Sequence, residues 1–368
     1  MRNVNLTPLL MLSRIVAKAS ETLLPASTLS RLRIQREWKR WVRSLTPDIL
    51  DDQTHASAEV KRRIFKAYVR RVEIETHAKC NRVCSFCPNS IVDRRRNETR
   101  TDSLMLDRIF EELGSIDYSN QVLIARYSEP LADPDYLYDR LAAARRFAGQ
   151  AQFAITTNTD YLTPHVLEQL RAAGVMRIYM SIYLASRERW TPDVARRHNS
   201  RLQKKLDLRF VTYNETPTSL QCIYKYKDIE LSSTCHNWED YGTDRGGTLQ
   251  QYARRVRVGP CRDPFETFVV DYTGAVMPCC ALRSDLPQSE QFAAANLLAS
   301  STSIFDIYAS QLSAWRRSLV GFGPKTSPCT TCSHRDMPGE LAVPMADLLE
   351  QHLQRISRHQ YFSPSKQL

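Results

Sequence analysis

The sequence predicts an α/β protein in which a (β/α) barrel follows an N-terminal helical extension. Residues 1–70 show helical spacing of apolar residues and no strand pattern. From Val72 onward, short apolar segments alternate with amphipathic segments, which is typical of a parallel sheet wrapped by crossover helices. A cysteine-rich loop follows the first predicted strand, and the active face of such a barrel lies at the carboxyl ends of its strands.

The N-terminal extension is expected to contain three helices. The second of them places Leu32, Trp38, Trp41, Val42 and Leu45 at helical spacing, so that one of its faces is apolar. The predicted bounds of the three helices are 9–24, 28–45 and 56–69.

The barrel region is predicted to alternate strands and helices between residues 72 and 182, because its apolar segments switch between the two periodicities. The predicted strands are 72–76, 121–126, 152–157 and 177–182. The predicted helices are 103–113, 135–148 and 164–173.

The pattern is less regular between residues 184 and 260 and becomes clear again after Cys261. Gly246 and Gly247 mark a loop, and Gly274 marks the turn of a hairpin. The predicted elements are a helix within 187–205, strands at 208–213 and 219–224, a hairpin of 267–271 and 275–277, and helices at 304–320 and 345–356.

Size and composition fit an ordinary globular protein. The chain has 368 residues, 42% of them apolar, which allows one large domain or two moderate ones. Ten cysteines, no run of 18 apolar residues and no signal peptide predict a reducing compartment, where thiols bind metals. We therefore expect a cytoplasmic protein without a transmembrane segment.

The positive charge is concentrated at the N-terminus. The net charge is +11, and residues 1–72 contain fifteen Lys and Arg residues against six Asp and Glu residues. A basic helical segment can contact an acidic partner, nucleic acid or a membrane surface, but a solvated helix face is the commoner explanation. We predict no nucleic-acid partner from it.

Cys80, Cys84 and Cys87 form a C-x3-C-x2-C triplet after the first predicted strand. Three thiolates at this spacing can bind three irons of a 4Fe-4S cluster and leave the fourth iron open for chemistry. A zinc knuckle or a chance group of buried thiols is the alternative. Zinc is less suited to the triplet, because no fourth ligand lies near it in the sequence.

The triplet, with Phe86 directly before its last cysteine, resembles the signature of the radical S-adenosylmethionine (SAM) enzymes. The resemblance implies that SAM chelates the open iron and is cleaved to methionine and a 5'-deoxyadenosyl radical. It also implies a partial (β/α)6 radical SAM barrel and a reductant such as flavodoxin or ferredoxin.

Polar motifs at the ends of later strands extend the resemblance. Residues 127–130, Y-S-E-P, resemble the family's Gly-Glu-Pro motif with serine in place of glycine, which implies that Ser128 and Glu129 bind the SAM amino group. Asn158 and Ser181 end the third and fourth strands, where the family contacts the nucleoside. A structural role is the alternative, because Glu129 can begin a helix and Asn158 can cap a turn.

Four more cysteines form a second set with metal-ligand spacing. Cys261, Cys279, Cys329 and Cys332 give a C-x12-G-x4-C segment and a C-x2-C pair, with Gly274 as the glycine of the hairpin. This pattern resembles the twitch domain, a shortened SPASM domain. Because no cysteine follows Cys332, the resemblance implies one auxiliary 4Fe-4S cluster with four protein ligands. A structural zinc ribbon is the alternative.

Three cysteines, Cys222, Cys235 and Cys280, remain outside both sets. Buried inert thiols are the commoner interpretation. A thiol near the deoxyadenosyl carbon would instead return a hydrogen atom to the substrate, and the enzyme would then be an epimerase.

The chain resembles the twitch-bearing 2-deoxy-scyllo-inosamine dehydrogenases over residues 72–335. The resemblance implies two-electron oxidation of a secondary alcohol in a sugar- or cyclitol-type substrate, with the auxiliary cluster accepting the electron. It places Arg245 at the substrate hydroxyl, where a cation stabilises an alkoxide or ketyl oxygen. The alternative is a structural role, in which Arg245, directly before two glycines, fixes the conformation of its loop.

Two rival functions remain open at the level of sequence. Many enzymes with SPASM or twitch domains modify ribosomal peptides, although the strand-free N-terminus lacks the usual leader-binding module. A non-catalytic metal-binding adaptor is the other rival, and the barrel motifs disfavour it. The predicted domains are a basic helical extension at 1–71, a radical SAM partial barrel at 72–250, a twitch domain at 251–340, and a C-terminal helix and tail at 341–368.

Overall fold

The computed structural model describes residues 26–185 and 188–362. These residues form two compact units, one of residues 48–336 and one of the chain before residue 48 and after residue 336. The predicted helix at 9–24 lies outside the described residues. The predicted domain boundaries are not tested by this division and stay predictions.

The smaller unit contains helix α1 (Ala26–Ser44) and the long helix α13 (Gly339–Phe362). Trp38 packs edge to face against Trp41, with ring centroids 5.3 Å apart. The His352 Nε2 atom donates a hydrogen bond of 2.8 Å to the carbonyl oxygen of Leu45. The apolar residues whose spacing predicted a helix at 28–45, such as Trp38 and Trp41, therefore lie on the buried face of α1.

The larger unit is built on a sheet of ten strands in the order β10-β9-β8-β1-β2-β3-β4-β7-β6-β5. The strands are β1 (Arg71–Ile74), β2 (Gln121–Ile124), β3 (Gln152–Thr157), β4 (Arg177–Ser181), β5 (Arg209–Thr216), β6 (Ser219–Tyr226), β7 (Ile229–His236), β8 (Thr267–Val270), β9 (Ala275–Met277) and β10 (Ala295–Asn296). Six neighbours, β8, β1, β2, β3, β4 and β7, run parallel.

The helices of the larger unit connect these strands and cover the sheet. Several of them begin with a side-chain cap, as where Asp102 Oδ1 accepts a hydrogen bond of 2.7 Å from the Met105 amide. They are α2 (Pro47–Leu50), α3 (Ala58–Tyr68), α4 (Ser103–Gly114), α5 (Pro134–Phe147), α6 (Pro164–Ala172), α7 (Pro192–Leu206), α8 (Trp238–Tyr241), α9 (Asp263–Glu266), α10 (Pro287–Glu290), α11 (Ile304–Asp306) and α12 (Ser313–Leu319).

The core around Phe65 joins α3 to the sheet. The Phe65 ring makes edge-on contacts with Tyr118, Phe268, Phe305 and Tyr308 at centroid distances of 5.3 to 6.1 Å. All five side chains are buried, so the cluster removes a large apolar area from water.

The predicted C-terminal hairpin is part of the barrel sheet. Its first strand, β8, pairs in parallel with β1 from Arg71 opposite Thr267 to Ile74 opposite Val270, while β9 pairs with β8 antiparallel. The carboxyl end of β1, where the cysteine triplet begins, is therefore next to the hairpin that leads to Cys279.

The strand β7 was not predicted, and it lies inside the sheet between β4 and β6. Its residues 232–234 are Ser-Ser-Thr, whereas a parallel strand in a barrel is expected to be an apolar run. Ser233 is fully buried, and its hydroxyl group hydrogen-bonds to the side-chain oxygen of Asn199 on α7. A polar partner on the covering helix therefore replaces apolar packing.

The predicted helix at 304–320 is divided into α11, a π-helical turn at Ile307–Gln311, and α12. None of the helices among the described residues combines the length and apolarity that crossing a membrane requires.

Candidate active site and metal centres

The cysteine triplet lies in a cavity at the carboxyl ends of β1, β2 and β3. Its walls include residues from the loop after each of these strands and Tyr183 after β4. The predicted cofactor contacts Phe86, Ser128, Glu129 and Asn158 all line it, together with Cys80, Cys84 and Cys87. Ser181 ends β4 outside this lining. The SAM-binding roles of the five residues stay predictions.

The loop that carries the triplet is closed by Arg94, which the sequence analysis did not single out. The Cys80 amide donates a hydrogen bond of 3.4 Å to the Arg94 carbonyl oxygen. The buried Arg94 guanidinium forms an ion pair of 2.7 Å with Glu75 at the end of β1 and also pairs with Asp285. A charge-assisted network inside the protein fixes the loop to the strand below it.

The three thiols have the environment expected of metal ligands. All three are free of disulfides. Burial raises the pKa of Cys80 to about 11, and burial together with the negative charges of Cys87 and Cys80 raises the pKa of Cys84 to about 12. Without a metal the thiolates are therefore disfavoured, and bound iron reverses this because a metal holds its thiol ligands deprotonated.

Glu129 is buried and its carboxylate accepts three hydrogen bonds. The donors are the hydroxyl group of Thr157 at 2.7 Å, the amide of Asn158 at 2.6 Å and the amide of Leu131 at 3.2 Å. Burial raises the pKa of Glu129 to about 7, although these three donors act in the opposite direction. The carboxylate ties the end of β2 to the end of β3, and it also begins the turn at 130–132, as the structural alternative expected.

Ser128 differs from Glu129 in having no partner. Its Oγ atom is buried and forms no hydrogen bond with any described residue. An unsatisfied buried hydroxyl group that lines the cavity is consistent with a polar ligand there, such as the SAM ammonium group. Asn158 Oδ1 accepts a hydrogen bond from the Asp160 amide at 3.1 Å, which is the predicted turn cap, and its Nδ2 donates to Asn81 at 2.7 Å.

The contrast between Glu129 and Ser128 gives a testable prediction. Glu129→Ala should lower the free energy of unfolding of the cluster-free protein by about 1–3 kcal/mol, because three buried donors then lose their acceptor. Ser128→Ala should leave that free energy unchanged within about 0.5 kcal/mol and weaken SAM binding. Urea unfolding and SAM titration measure the two effects. Equal stability losses would contradict the assignment of contacts.

Phe86 belongs to an aromatic cluster that the sequence analysis missed. Its ring is stacked on Trp238, 4.0 Å away and tilted by 7°, and lies 5.1 Å from Tyr183. Trp238 comes shortly after the end of β7 at His236, so the unpredicted strand brings it to the same edge of the sheet. A planar cofactor group at Phe86 would meet this aromatic wall.

The second cysteine set is brought together around the hairpin and the C-x2-C turn. The Cys332 amide donates a hydrogen bond of 3.3 Å to the Cys329 carbonyl oxygen, and neither cysteine is in a disulfide. Burial raises the pKa of Cys279, which the charges of Cys329 and Cys332 raise further, and burial likewise raises the pKa of Cys261. The charge of Cys332 thus acts on both Cys261 and Cys279, as is expected if the thiols are ligands of one metal centre.

Arg257 holds the segments of the second set in place. Its buried guanidinium donates hydrogen bonds of 2.7 Å to the carbonyl oxygens of Pro260 and His334, and it lies 4.0 Å from the Cys332 thiol. It therefore connects the chain before Cys261 to the chain around Cys332. No sequence pattern marks this residue, because isolated arginines are usually exposed.

We expect Arg257→Met to remove the second centre selectively. The substitution keeps a long side chain but leaves buried carbonyl oxygens without donors, which costs about 1–3 kcal/mol for each. After anaerobic reconstitution, wild type should contain about eight irons per chain and Arg257→Met about four. Arg254→Met, which changes an exposed arginine nearby, is the control. Full iron in Arg257→Met, or one zinc per chain in wild type, would contradict this account.

Arg245, the predicted catalytic residue, is not among the residues that line the cysteine cavity, but it lies beside Tyr127, which does line it. Its guanidinium is 5.9 Å from the Tyr127 ring centroid, and its Nε atom is buried without a partner among the described residues. Burial lowers the pKa of Arg245, but Tyr127, Cys87 and Cys280 outweigh burial and raise it. Arg245 therefore stays charged between the two cysteine sets.

The loop of Arg245 is itself constrained. Arg245 has a positive φ of 50°, and a Cβ atom on Gly246 would lie 2.3 Å from the Leu282 side chain. The Thr331 hydroxyl group donates a hydrogen bond of 2.6 Å to Asp244. The loop is thus attached to the C-x2-C turn.

Buried polar contacts connect the two centres. Arg283 donates a hydrogen bond of 2.8 Å to the side-chain oxygen of Asn89, whose Nδ2 donates to the Tyr127 carbonyl oxygen at 2.9 Å. The Tyr127 hydroxyl group donates to the carbonyl oxygens of Cys280 and Ala281 at 3.1 and 2.8 Å. Because Asn89 follows Cys87 and Cys280 follows Cys279, these contacts fix one set relative to the other.

The three remaining cysteines have different surroundings. Cys222 and Cys235 are buried in β6 and β7. The Cys280 thiol is 3.6 Å from the His334 Nε2 atom, which also contacts Asp263 at 3.2 Å. These three side chains could hold a metal ion, but Asp263 is also paired with Arg335 at 3.2 Å, so an ion-pair network explains the group.

Two known protein families each match a different part of the larger unit. Residues 74–206 match the family model of the radical SAM superfamily. Residues 261–334 match the family model SPASM, an iron-sulfur cluster-binding domain. These matches confirm the predicted fold class and confirm iron–sulfur clusters and SAM as the cofactors.

Two curated proteins are similar to parts of the chain. The SAM-dependent 2-deoxy-scyllo-inosamine dehydrogenase of Niallia circulans is 24% identical over 209 residues, which cover 56% of this chain and 72% of that protein. The AdoMet-dependent heme synthase of Methanosarcina barkeri (strain Fusaro / DSM 804) is 33% identical over 120 residues, which cover 32% of each.

Two solved structures also resemble the chain. BtrN in complex with AdoMet and 2-DOIA is 21% identical, with a TM-score of 0.49, and the match covers 68% of this chain and 87% of that one. Native anSMEcpe with bound AdoMet is 12% identical, with a TM-score of 0.41 and coverage of 78% and 98%.

Proposed function

Because the chain is a radical SAM enzyme with an iron–sulfur SPASM domain, we propose that it oxidises a secondary alcohol of a sugar- or cyclitol-type molecule. The observation that carries the proposal is the position of Arg245. This cation lies beside Tyr127, and its charge acts on Cys87 of the triplet and on Cys280, which follows Cys279 of the second set. A substrate oxygen at this point would be within reach of a cation between two redox centres.

The two centres and SAM would supply, when bound, a hydrogen-abstracting radical and an acceptor for one electron, and the hydroxyl proton would leave to water. Arg245 is always protonated at neutral pH, so it does not act as a base. Its unpartnered Nε–H is a donor for an alcohol oxygen and stabilises the negative charge that develops there. The rigid contacts of its loop keep this donor oriented before the substrate arrives.

The curated relative supports the class of reaction. It is named a dehydrogenase of 2-deoxy-scyllo-inosamine, which is a cyclitol with secondary alcohols. The insert that contains α7, β5 and β6 departs from the patterns quoted for that family, so the identity of the substrate is not carried over. A one-electron carrier such as flavodoxin or ferredoxin is the proposed reductant.

The transfer of hydrogen from the alcohol to 5'-deoxyadenosine tests the proposal. A candidate alcohol deuterated at the carbinol carbon should give 5'-deoxyadenosine containing one deuterium, and the alcohol should be recovered as a ketone. The Cys84→Ala protein is the control for label that arises without the first centre. Unlabelled 5'-deoxyadenosine alongside ketone formation would contradict abstraction from that carbon.

A further inference from the structure

A second cavity of about 520 Å³ lies at the carboxyl ends of β3 and β4, next to the cysteine cavity. The two cavities share Arg82 and Tyr183 in their walls. Thr159 and Asp160, which follow Asn158, form another part of the wall. A molecule bound in the cysteine cavity could therefore extend into this second cavity.

One face of α7 forms the opposite wall. His198, Arg201, Leu202 and Lys205 line the cavity, and their spacing of three, four and seven residues places them on one side of the helix. Lys204 is on the same helix and is exposed, but it does not line the cavity. The sequence predicted only a helix within 187–205 for this segment.

The charges of this cavity do not balance. Asp160 is its carboxylate, and it accepts hydrogen bonds from Arg82 Nε at 2.6 Å and from Asn81 at 2.7 Å. His198 Nε2 is 2.7 Å from Glu188. Among residues 26–185 and 188–362, Arg201 and Lys205 form no ion pair. The cavity wall therefore holds Arg82, Arg201 and Lys205 against one carboxylate, Asp160, which is already paired with Arg82 and which Lys205 also attracts.

We propose that Arg201 and Lys205 bind a phosphate or diphosphate group of the substrate, which rests on the alcohol oxidation proposed above. The substrate would then be a phosphorylated or nucleotide-linked sugar or cyclitol. Two cations at the wall of a concave site concentrate anions there, and both side chains donate hydrogen bonds to phosphate oxygens. The inosamine of the curated relative bears an amine, which these cations would repel.

The carboxylate of SAM is another anion that the same cations could bind. The two sources differ in what they predict, because a phosphate site should bind phosphate compounds while SAM is already bound. A SAM carboxylate site would be filled under that condition.

Calorimetric titration separates these sources without any need for turnover. Pyrophosphate and uridine diphosphate are titrated into the reconstituted protein with saturating SAM, at constant ionic strength. Wild type should bind at least one of the two probes. Arg201→Gln/Lys205→Gln should weaken that binding at least tenfold, Lys204→Gln should change it less than twofold, and Lys205→Arg should retain it. SAM affinity should be the same in all four proteins.

Three outcomes would overturn the proposal. These are the absence of binding of either probe to wild type, a loss in Lys204→Gln as large as in the cavity variant, and a loss of SAM affinity together with the probe in the cavity variant. The first result leaves no phosphate site, the second shows only general attraction by the helix, and the third assigns the cations to SAM. None of these results bears on the deuterium test, so the oxidation proposal stands or fails separately.

Discussion

Cys84→Ala is expected to abolish the formation of 5'-deoxyadenosine. Removing one ligand of the triplet leaves two thiols for the first centre, and SAM is cleaved only where an iron without a protein ligand can chelate it. The amount of 5'-deoxyadenosine formed anaerobically with dithionite should fall to the level of a reaction without enzyme.

Cys329→Ala is the matched control, because it removes a thiol from the second set. It should retain slow SAM cleavage that is not coupled to product formation, since the cavity of the first set is built from other loops. Circular dichroism must show that both variants are folded. If two folded variants lost SAM cleavage equally, the division of roles between the two centres would be wrong.

Arg245→Met is expected to lower the rate of product formation by about 10²–10³, the usual effect of removing one donor from a developing oxyanion. Formation of 5'-deoxyadenosine should continue, because Arg245 is not part of either cysteine set. The ratio of product to 5'-deoxyadenosine measures this uncoupling.

Arg245→Lys keeps the charge but not the planar donors and should lie between wild type and Arg245→Met. Retention of the second centre in all three proteins, measured as iron content, excludes a purely structural effect. If Arg245→Met changed product and 5'-deoxyadenosine in the same proportion, Arg245 would act on the cleavage of SAM or on folding.

The strands with regular apolar spacing were predictable from sequence. The structure begins and ends β3 at residues 152 and 157 as predicted, and the first strand, the second strand and α4 differ by only a few residues. β7 was not predictable in the same way, because its buried serines depend on Asn199 of another element. The parallel pairing of β8 with β1 is likewise a long-range contact that no local pattern encodes.

The cysteines and the strand-end motifs of the candidate site were predictable because each is a local pattern. Glu129, Asn158 and Phe86 line the cavity of the triplet, although hydrogen bonds to Glu129 show a structural function that its motif did not reveal. Arg94 and Arg257 were missed, because a buried arginine is recognised only by the carboxylates or carbonyl oxygens around it. The same holds for Trp238, whose stacking on Phe86 requires β7.

The mass of the product formed in heavy water tests the central claim most directly. The alternative to oxidation is the return of a hydrogen atom from a thiol, and Cys280 is the remaining thiol whose charge acts on Arg245 and Tyr127 at the site. We expect a product two mass units lighter than the alcohol, without deuterium on the reacting carbon, and unchanged in Cys280→Ser. A product with inverted configuration and one deuterium, lost in Cys280→Ser, would contradict alcohol oxidation.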